Sequence, residues 1–330
     1  MSVMARVVRG KQDYTQDAHM HIGDSIAAYR TLLTLQQRIH AFTLAAAAEN
    51  DVEIADPLTP LWVGLDQFLA VAPLHGGLHV EFHGNLWDAP FAWTLECLAD
   101  QTVADALVSL SFTGPDEGAN GTREWEFTPL LDSSVRFPRL RSLSIRPTGP
   151  ADHNASLVQR AGTIMEEAGE IARFVAKAPH LTELVVPNAP DARFFDVPLP
   201  QLATLRIGGG YDTQHFIDNL ANARTLPALG LLDFSESTEL RSSWAADRPA
   251  DAITAFGSYA RLFSSAACNP MHSFILRNSA LALEDLQALQ ALRPELQFMV
   301  IQASQGGYVS HFARDVFPWR HLVQPDGGQR

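Results

Sequence analysis

A short apolar pattern returns eight times along this chain of 330 residues. The pattern is Leu-x-x-Leu-x-apolar; one copy keeps only its last two apolar positions, and five copies carry a proline two places before the first apolar residue. The fourth positions are residues 80, 110, 143, 184, 205, 232, 274 and 299. Apolar residues that alternate over such a short run indicate a strand with one side in a core. Because one such strand cannot bury its apolar side alone, the repetition predicts stacked units that share a continuous core.

The segments between the predicted strands have the apolar spacing of helices. The clearest is 157–175, where residues 157, 161, 164, 168, 171 and 175 fall on one side of a helix. The recurring proline ends the preceding helix, because it lacks a backbone N–H and disfavours helical geometry at the residue before it. Glu166, Glu167 and Glu170 then lie on the polar side of this helix, so we predict solvated carboxylates there rather than a catalytic pair.

This combination of strand pattern and helices resembles the leucine-rich repeat family, in an irregular bacterial form, over residues 75–305. The family pattern continues to a ninth position that holds Asn or Cys. This chain instead has Pro115, Thr148, Ala189, Gly210, Ser237, Ser279 and Ser304 there. The Asn ladder is therefore missing, and the turns must satisfy their backbone groups by other means. The resemblance implies an α/β solenoid with a parallel sheet on its concave face and helices on its convex face.

The pattern divides the chain into three parts, 1–74, 75–305 and 306–330. The first is predicted to be a helical N-terminal cap, with a long helix from Asp24 or Ser25 and a shorter helix within 56–74. The second is the solenoid of about eight irregular repeats. The third, with its aromatic stretch 308–322, is predicted to be a C-terminal cap or tail. Two questions stay open: whether the tail covers the concave face, and whether the first part is instead a separate docking module.

Charge and composition limit the possible partners. Acidic residues outnumber basic ones, 37 against 24, for a formal net charge of −13, which repels nucleic acid and anionic lipid. We therefore expect a protein partner, a basic one by charge complementarity, and neither nucleic acid nor a membrane. No apolar run in the chain has transmembrane length. The first residues contain no apolar core, so we expect no signal peptide. Cys97 and Cys268 are predicted to be buried free thiols, which fits a cytoplasmic location.

The glycine run 208–210 invites a phosphate-binding interpretation, because it follows a predicted strand and precedes a predicted helix. Its spacing matches neither of the common phosphate-binding glycine motifs, so we predict a turn between repeats. The chain also lacks a nucleophile elbow, a metalloprotease motif and a Cys-x-x-Cys pair. We therefore expect a protein that is not an enzyme and uses no cofactor.

Side chains between the apolar positions are predicted to point to the concave face of the sheet. Arginine is scarce in this acidic chain and is enriched at interface hot spots, and exposed apolar area usually marks a partner or a cover. The predicted partner-binding residues are Arg146, Glu183, Arg206, Asp233, Arg277, Leu231, Ile275 and Phe298. They lead to the hypothesis of a non-enzymatic scaffold for protein–protein interaction, with an immunity or antitoxin-like role as an analogy.

Two other hypotheses stay open. His79, Glu81 and His83 alternate along one predicted strand and share a face, and imidazole and carboxylate are ligands of divalent metals. These three residues are a weak candidate metal site, which would make the protein a metal-dependent enzyme or a metal sensor. The third hypothesis is an architectural subunit of a homo-oligomer.

Overall fold

The structure is a computed structural model that describes residues 14–49, 67–84, 86–114, 123–145, 155–158, 167–208, 213–236, 254–277, 279 and 281–301. Its strands are β1 (Phe68–Leu74), β2 (Gly77–His83), β3 (Leu107–Thr113), β4 (Arg123–Glu126), β5 (Ser142–Ile145), β6 (Ala155–Val158), β7 (Glu183–Val186), β8 (Thr204–Ile207), β9 (Leu231–Ser235), β10 (Ser273–Arg277) and β11 (Gln297–Ile301). Its α-helices are α1 (Tyr14–Glu49), α2 (Ala89–Leu98), α3 (Gln101–Ala106), α4 (Thr128–Asp132), α5 (Glu170–Val175), α6 (Phe216–Asn222), α7 (Phe256–Ser264) and α8 (Leu283–Leu292). Short 3-10 helices cover Ala192–Asp196 and Ala266–Cys268.

Within the described residues, the main sheet contains nine strands in the order β1-β2-β3-β5-β7-β8-β9-β10-β11, and β4 pairs with β6 in a separate sheet. Every pairing from β2 to β11 in the main sheet is parallel, and each strand lies beside the next main-sheet strand along the chain. β1 pairs antiparallel with β2. Parallel neighbours need a crossing segment between them, and helices occupy those segments. The predicted α/β class is confirmed, with a sheet that is mostly parallel.

One apolar column runs through the sheet and joins its strands. All eight predicted fourth positions lie in strands of the main sheet. Seven of them face the core and are neighbours in register: Val80, Leu110, Leu143, Leu184, Leu205, Leu232 and Phe274. Each side chain of this core column is at most 1% exposed. Because burying such a side chain contributes roughly 1.5–3 kcal/mol, the core column is a main source of the stability of the sheet.

Two predicted helices are wrong in part. Residues 68–74 form strand β1 rather than a helix, and the predicted boundary between 74 and 75 falls at a hairpin turn. His75 and Gly76 make this turn with φ of 47° and 75°, the two positive values that a type I′ hairpin needs. In the predicted helix 157–175, residues 157 and 158 belong to β6, and α5 begins only at Glu170. Gly169 precedes it with φ of 97°, which interrupts helical geometry.

Helix α1 covers the outer edge of β1. Its inward side carries four buried side chains, Ala28, Leu32, Leu35 and Ile39. The Gln36 side-chain amide donates to the carbonyl of Leu69 (2.6 Å), and the Thr43 hydroxyl donates to the carbonyl of Gln67 (3.0 Å). These bonds occupy the carbonyl of Leu69 in the edge strand and that of Gln67 just before it, so another chain has fewer groups there to pair with. Although α1 has 36 residues, neither it nor any other described helix is apolar enough over a sufficient length to cross a membrane.

A buried carboxyl group, rather than an Asn ladder, satisfies backbone N–H groups at the start of α5 and beyond β7. Glu167 is 2% exposed and accepts bonds from three backbone N–H groups, those of Gly169 (2.7 Å), Ile171 (2.9 Å) and Asp191 (2.7 Å). Glu170 is 3% exposed and accepts from the N–H of Ala168 (2.6 Å). The prediction of solvated carboxylates at 167 and 170 is therefore wrong, because no long helix carries them outward; Glu166 lies outside the described residues.

Glu236 has a similar role directly after β9. It is 3% exposed and accepts bonds from the Thr254 N–H (3.3 Å) and from the hydroxyl of the fully buried Tyr259. Burial raises the pKa of both Glu236 and Glu167 from 4.5 to about 7. The pKa of Tyr259 is also raised, first by burial and then by the nearby charge of Glu236.

The buried Glu236 links stability to pH. The pKa of Glu236 in the folded state lies above the ordinary value of 4.5. The stabilisation that comes from its proton is therefore complete below pH 4.5 and is lost as the pH rises through about 7. Glu236→Gln keeps an acceptor for Tyr259 but has no proton to lose. We expect the free energy of unfolding of E236Q, relative to the wild type, to rise by about 2 kcal/mol between about pH 5.5 and pH 8. Urea denaturation at the two pH values measures it.

The matched control is Glu96→Gln, on an exposed position of α2. We expect its stability relative to the wild type to stay constant over the same pH range, because the side chain is solvated in both states. Equal pH dependence of the two variants would contradict the role of Glu236.

The core column predicts a sharp contrast between neighbouring positions of β8. Leu205→Ala removes a fully buried side chain and is expected to lower the free energy of unfolding by about 2–5 kcal/mol. Thr204→Ala, on the opposite face, is expected to change it by about 0.5 kcal/mol or less. Chemical denaturation of both variants tests the assignment of the two faces, and comparable losses would show that it is wrong.

Candidate binding face of the sheet

The side of the main sheet opposite the core column is called the outward face here. Side chains alternate along a strand, so each core position places its neighbours on this face. Its members in the first strands are His79, Glu81, His83, Ser109, Ser111, Thr113, Ser142 and Ser144. Its members in the later strands are Glu183, Val185, Thr204, Arg206, Leu231, Asp233, Ser235, Ser273, Ile275, Arg277, Gln297, Met299 and Ile301.

Histidines and hydroxyls pair across β2 and β3. His79 Nδ1 is hydrogen-bonded to Ser109 Oγ (2.9 Å), and His83 Nδ1 to Thr113 Oγ1 (2.9 Å). The Thr113 hydroxyl also donates a long bond of 3.5 Å to Glu81. The three residues of the weak candidate metal site therefore share a face, as predicted. Within the described residues, however, no group of three His, Cys, Asp or Glu side chains is placed to hold a metal ion.

A charged cluster crosses β8, β9 and β10. Arg277 binds Asp233 in a bidentate pair, with Nε 2.6 Å from Oδ1 and Nη2 2.9 Å from Oδ2. Arg206 Nε lies 3.5 Å from Asp233 Oδ2. The Asp233 side chain is 8% exposed, against 24% for Arg277 and 49% for Arg206. The pKa of Arg277 is raised, chiefly by its hydrogen bonds to Asp233. Arg277 is thus held by Asp233, while Arg206 keeps half of its surface in water.

The structure places the other predicted partner-binding residues as follows. Glu183 is exposed at the start of β7 and accepts a bond from the Ser142 hydroxyl (3.0 Å). Leu231 and Ile275 lie half-buried on the outward face, as predicted. Arg146 lies outside the described residues.

Phe298 is on the wrong side for a partner-binding residue. Its ring packs against two core rings, with centroids 5.2 Å from Phe263 and 5.6 Å from Phe274. The predicted pattern placed Met299 in the core, three residues after Leu296. In β11 the core residue comes two residues after Leu296 instead, so Phe298 pairs in register with Phe274. Aromatic packing therefore decides the register, and Met299 and Ile301 come to the outward face instead. The alternation Leu296-x-Phe298-x-Val300 was the sequence signal for this arrangement.

Neither cysteine has the surroundings of a reactive thiol. Cys97 and Cys268 are free thiols, half-buried and buried respectively. Burial raises the pKa of Cys97 to about 11 and also raises that of Cys268, which disfavours the reactive thiolate. Gly208 follows β8 and donates its N–H to the carbonyl of Val186 (2.8 Å). The other two glycines of that run lie outside the described residues.

Comparison with known proteins adds little to this geometry. No protein-family model and no curated protein matches the chain. A crystal structure of a protein from Bacteroides fragilis aligns with a TM-score of 0.40 and 13% sequence identity, over 82% of this chain and 75% of that one.

The charged cluster predicts unequal roles for its members. Asp233→Ala leaves Arg277 without its carboxylate partner, so we expect the free energy of unfolding to fall by about 2 kcal/mol. Arg206→Ala removes a half-exposed and longer contact, and should cost about 0.5 kcal/mol or less. Urea denaturation compares the two, and an equal cost would contradict the view that Arg277 alone is held in the fold.

Proposed function

We propose that this protein is a cytoplasmic, non-enzymatic binding protein with a leucine-rich-repeat-like solenoid fold, and that it holds a protein partner on the concave, outward face of its main sheet. The observation that carries the proposal is the half-exposed Arg206 beside the neutralised pair Asp233–Arg277. A guanidinium on a preorganised surface is a frequent energetic centre of a protein interface.

The order of the strands supports the solenoid part of the proposal. Consecutive repeats pair in parallel, and equivalent apolar positions meet directly in the core column. Such stacking of similar units is how repeat proteins build an extended surface for a partner. The resemblance to leucine-rich repeats rests on the sequence pattern and on this strand order.

The surroundings of Arg206 support a protein as the partner. Two positive charges and one negative charge leave the cluster with a net positive charge, which fits a carboxylate side chain. Ile275, Met299 and Ile301 lie half-buried on the neighbouring strands β10 and β11. Burying apolar side chains around a charged pair is typical of an interface centre. The overall charge of −13 would steer a partner that is basic as a whole.

The test starts with capture of the partner on the full chain from lysate of the native cells and its identification by mass spectrometry. The dissociation constant is then measured with purified components for the wild type and for Arg206→Glu. We expect a loss of affinity of about tenfold or more for R206E, because the charge at the centre of the interface is reversed. Arg277 is not a suitable position, because reversing it would place a carboxylate against Asp233.

The matched control is Arg224→Glu, the same charge change at an exposed position on the segment after α6. It should bind like the wild type. Capture of no protein, or equal loss in the two variants, would contradict the proposal. Capture of the chain by itself would instead favour the homo-oligomer hypothesis.

A further inference from the structure

A cleft of about 500 Å³ opens at the amino-terminal ends of β3, β5 and β7. The turn between β1 and β2 forms one wall, and the segment that leads into β5 forms another. The polar side chains that line it are His75, Ser109, Arg139, Arg141, Ser142 and Glu183. Its volume falls in the range of small-molecule sites, and the charges of its lining determine which ligand it suits.

Two guanidinium groups line this cleft and are held there by the backbone. Arg139 Nη2 donates to the carbonyl of Gly76 (2.9 Å), and Arg141 Nη1 donates to the carbonyl of His180 (3.1 Å) and to the side chain of Gln201. Each guanidinium carries more N–H donors than these bonds use. Across the part of the chain that the structure describes, neither forms an ion pair with a carboxylate.

One carboxylate lines the same cleft. Glu183 accepts the Ser142 hydroxyl (3.0 Å) and is otherwise exposed. Ser109, also in the lining, is held by His79 Nδ1 (2.9 Å). The two arginines and Glu183 give the cleft one net positive charge. The lining thus offers groups of both signs to a ligand. A ligand with several negative charges would be repelled by Glu183, whereas a ligand with one carboxylate and one ammonium group would match both signs.

We propose that this cleft binds a small zwitterion of the amino-acid class. The ligand carboxylate lies against Arg139 and Arg141, and its ammonium group lies against Glu183. The arginines are already oriented by backbone carbonyls, so binding orders few additional side chains. The arginines of this site differ from Arg206, which is proposed to contact the protein partner, and the test needs the purified chain alone.

The test compares three probes of similar chain length by isothermal titration calorimetry: norvaline, which is a zwitterion, pentanoate, which has only the carboxylate, and butylamine, which has only the ammonium group. We expect saturable binding of norvaline, affinity for pentanoate about tenfold lower, and no measurable binding of butylamine. Absence of saturable norvaline binding would overturn the proposal. Equal affinity for norvaline and pentanoate would overturn the role of Glu183 and with it the zwitterion assignment.

Three variants locate the site. The double variant Arg139→Gln/Arg141→Gln should lower norvaline affinity by at least about tenfold, and Glu183→Gln should lower it to the level of pentanoate. Arg136→Gln is the matched control, because Arg136 is an exposed arginine that also donates to a backbone carbonyl, that of Ala176 (2.8 Å), but does not line the cleft. It should bind norvaline like the wild type. Equal loss in R136Q would show that the effect is structural, and circular dichroism confirms that each variant is folded.

Discussion

The in-register core column is the constraint on which the rest of the structure depends. Side chains in a strand alternate with a period of two, so a residue in the core places its two neighbours on the outward face. When Leu205 and Leu232 meet in the core, Arg206 and Asp233 must meet on the other side. A slip of one residue would bury these charges and expose the leucines. The apolar burial that stabilises the sheet therefore also builds the charged cluster.

Among the described residues, buried carboxyl groups are stabilised by two kinds of contact. Asp233 is neutralised by a bidentate arginine on the next strand, a geometry that suits the planar guanidinium. Glu167, just before α5, and Glu236, directly after β9, are instead buried and accept backbone or tyrosine hydrogen bonds. Those bonds offset the cost of removing a carboxylate from water. An asparagine could accept bonds in a turn without titrating, whereas a carboxyl group makes the stability of these turns depend on pH.

The outward face changes its chemistry along the sheet. Imidazole and hydroxyl groups are most frequent on β2 to β5, the charged cluster crosses β8 to β10, and apolar side chains are most frequent on β11. A protein partner could contact several of these zones at once, whereas the cleft at the amino-terminal strand ends has the size of a small ligand. The fold alone does not select between such uses, and the two proposals rest on different arginines: Arg206 in one, Arg139 and Arg141 in the other.

Most of the sheet could be predicted from the sequence. The repeated apolar pattern correctly predicted the positions of eight strands of the main sheet. It also predicted that Arg206, Asp233 and Arg277 share one face, because alternation along a strand is a local property. It could not choose the register of β11, where Leu296, Phe298 and Val300 formed an equally apolar alternative to the predicted frame. That choice depended on the rings of Phe263 and Phe274, which come from other elements.

Only the tertiary structure decided the remaining features. Strand β1 replaced a predicted helix because β2 offered an antiparallel neighbour and α1 covered its other edge. Glu167 became buried because backbone N–H groups from two turns converge on it. Arg139 and Glu183 both line the cleft although they are far apart in sequence. The pairing of β5 with β7 brings them together. The sequence by itself determined what alternates along each strand, whereas which strand, turn or ring lies beside it depended on contacts between distant residues.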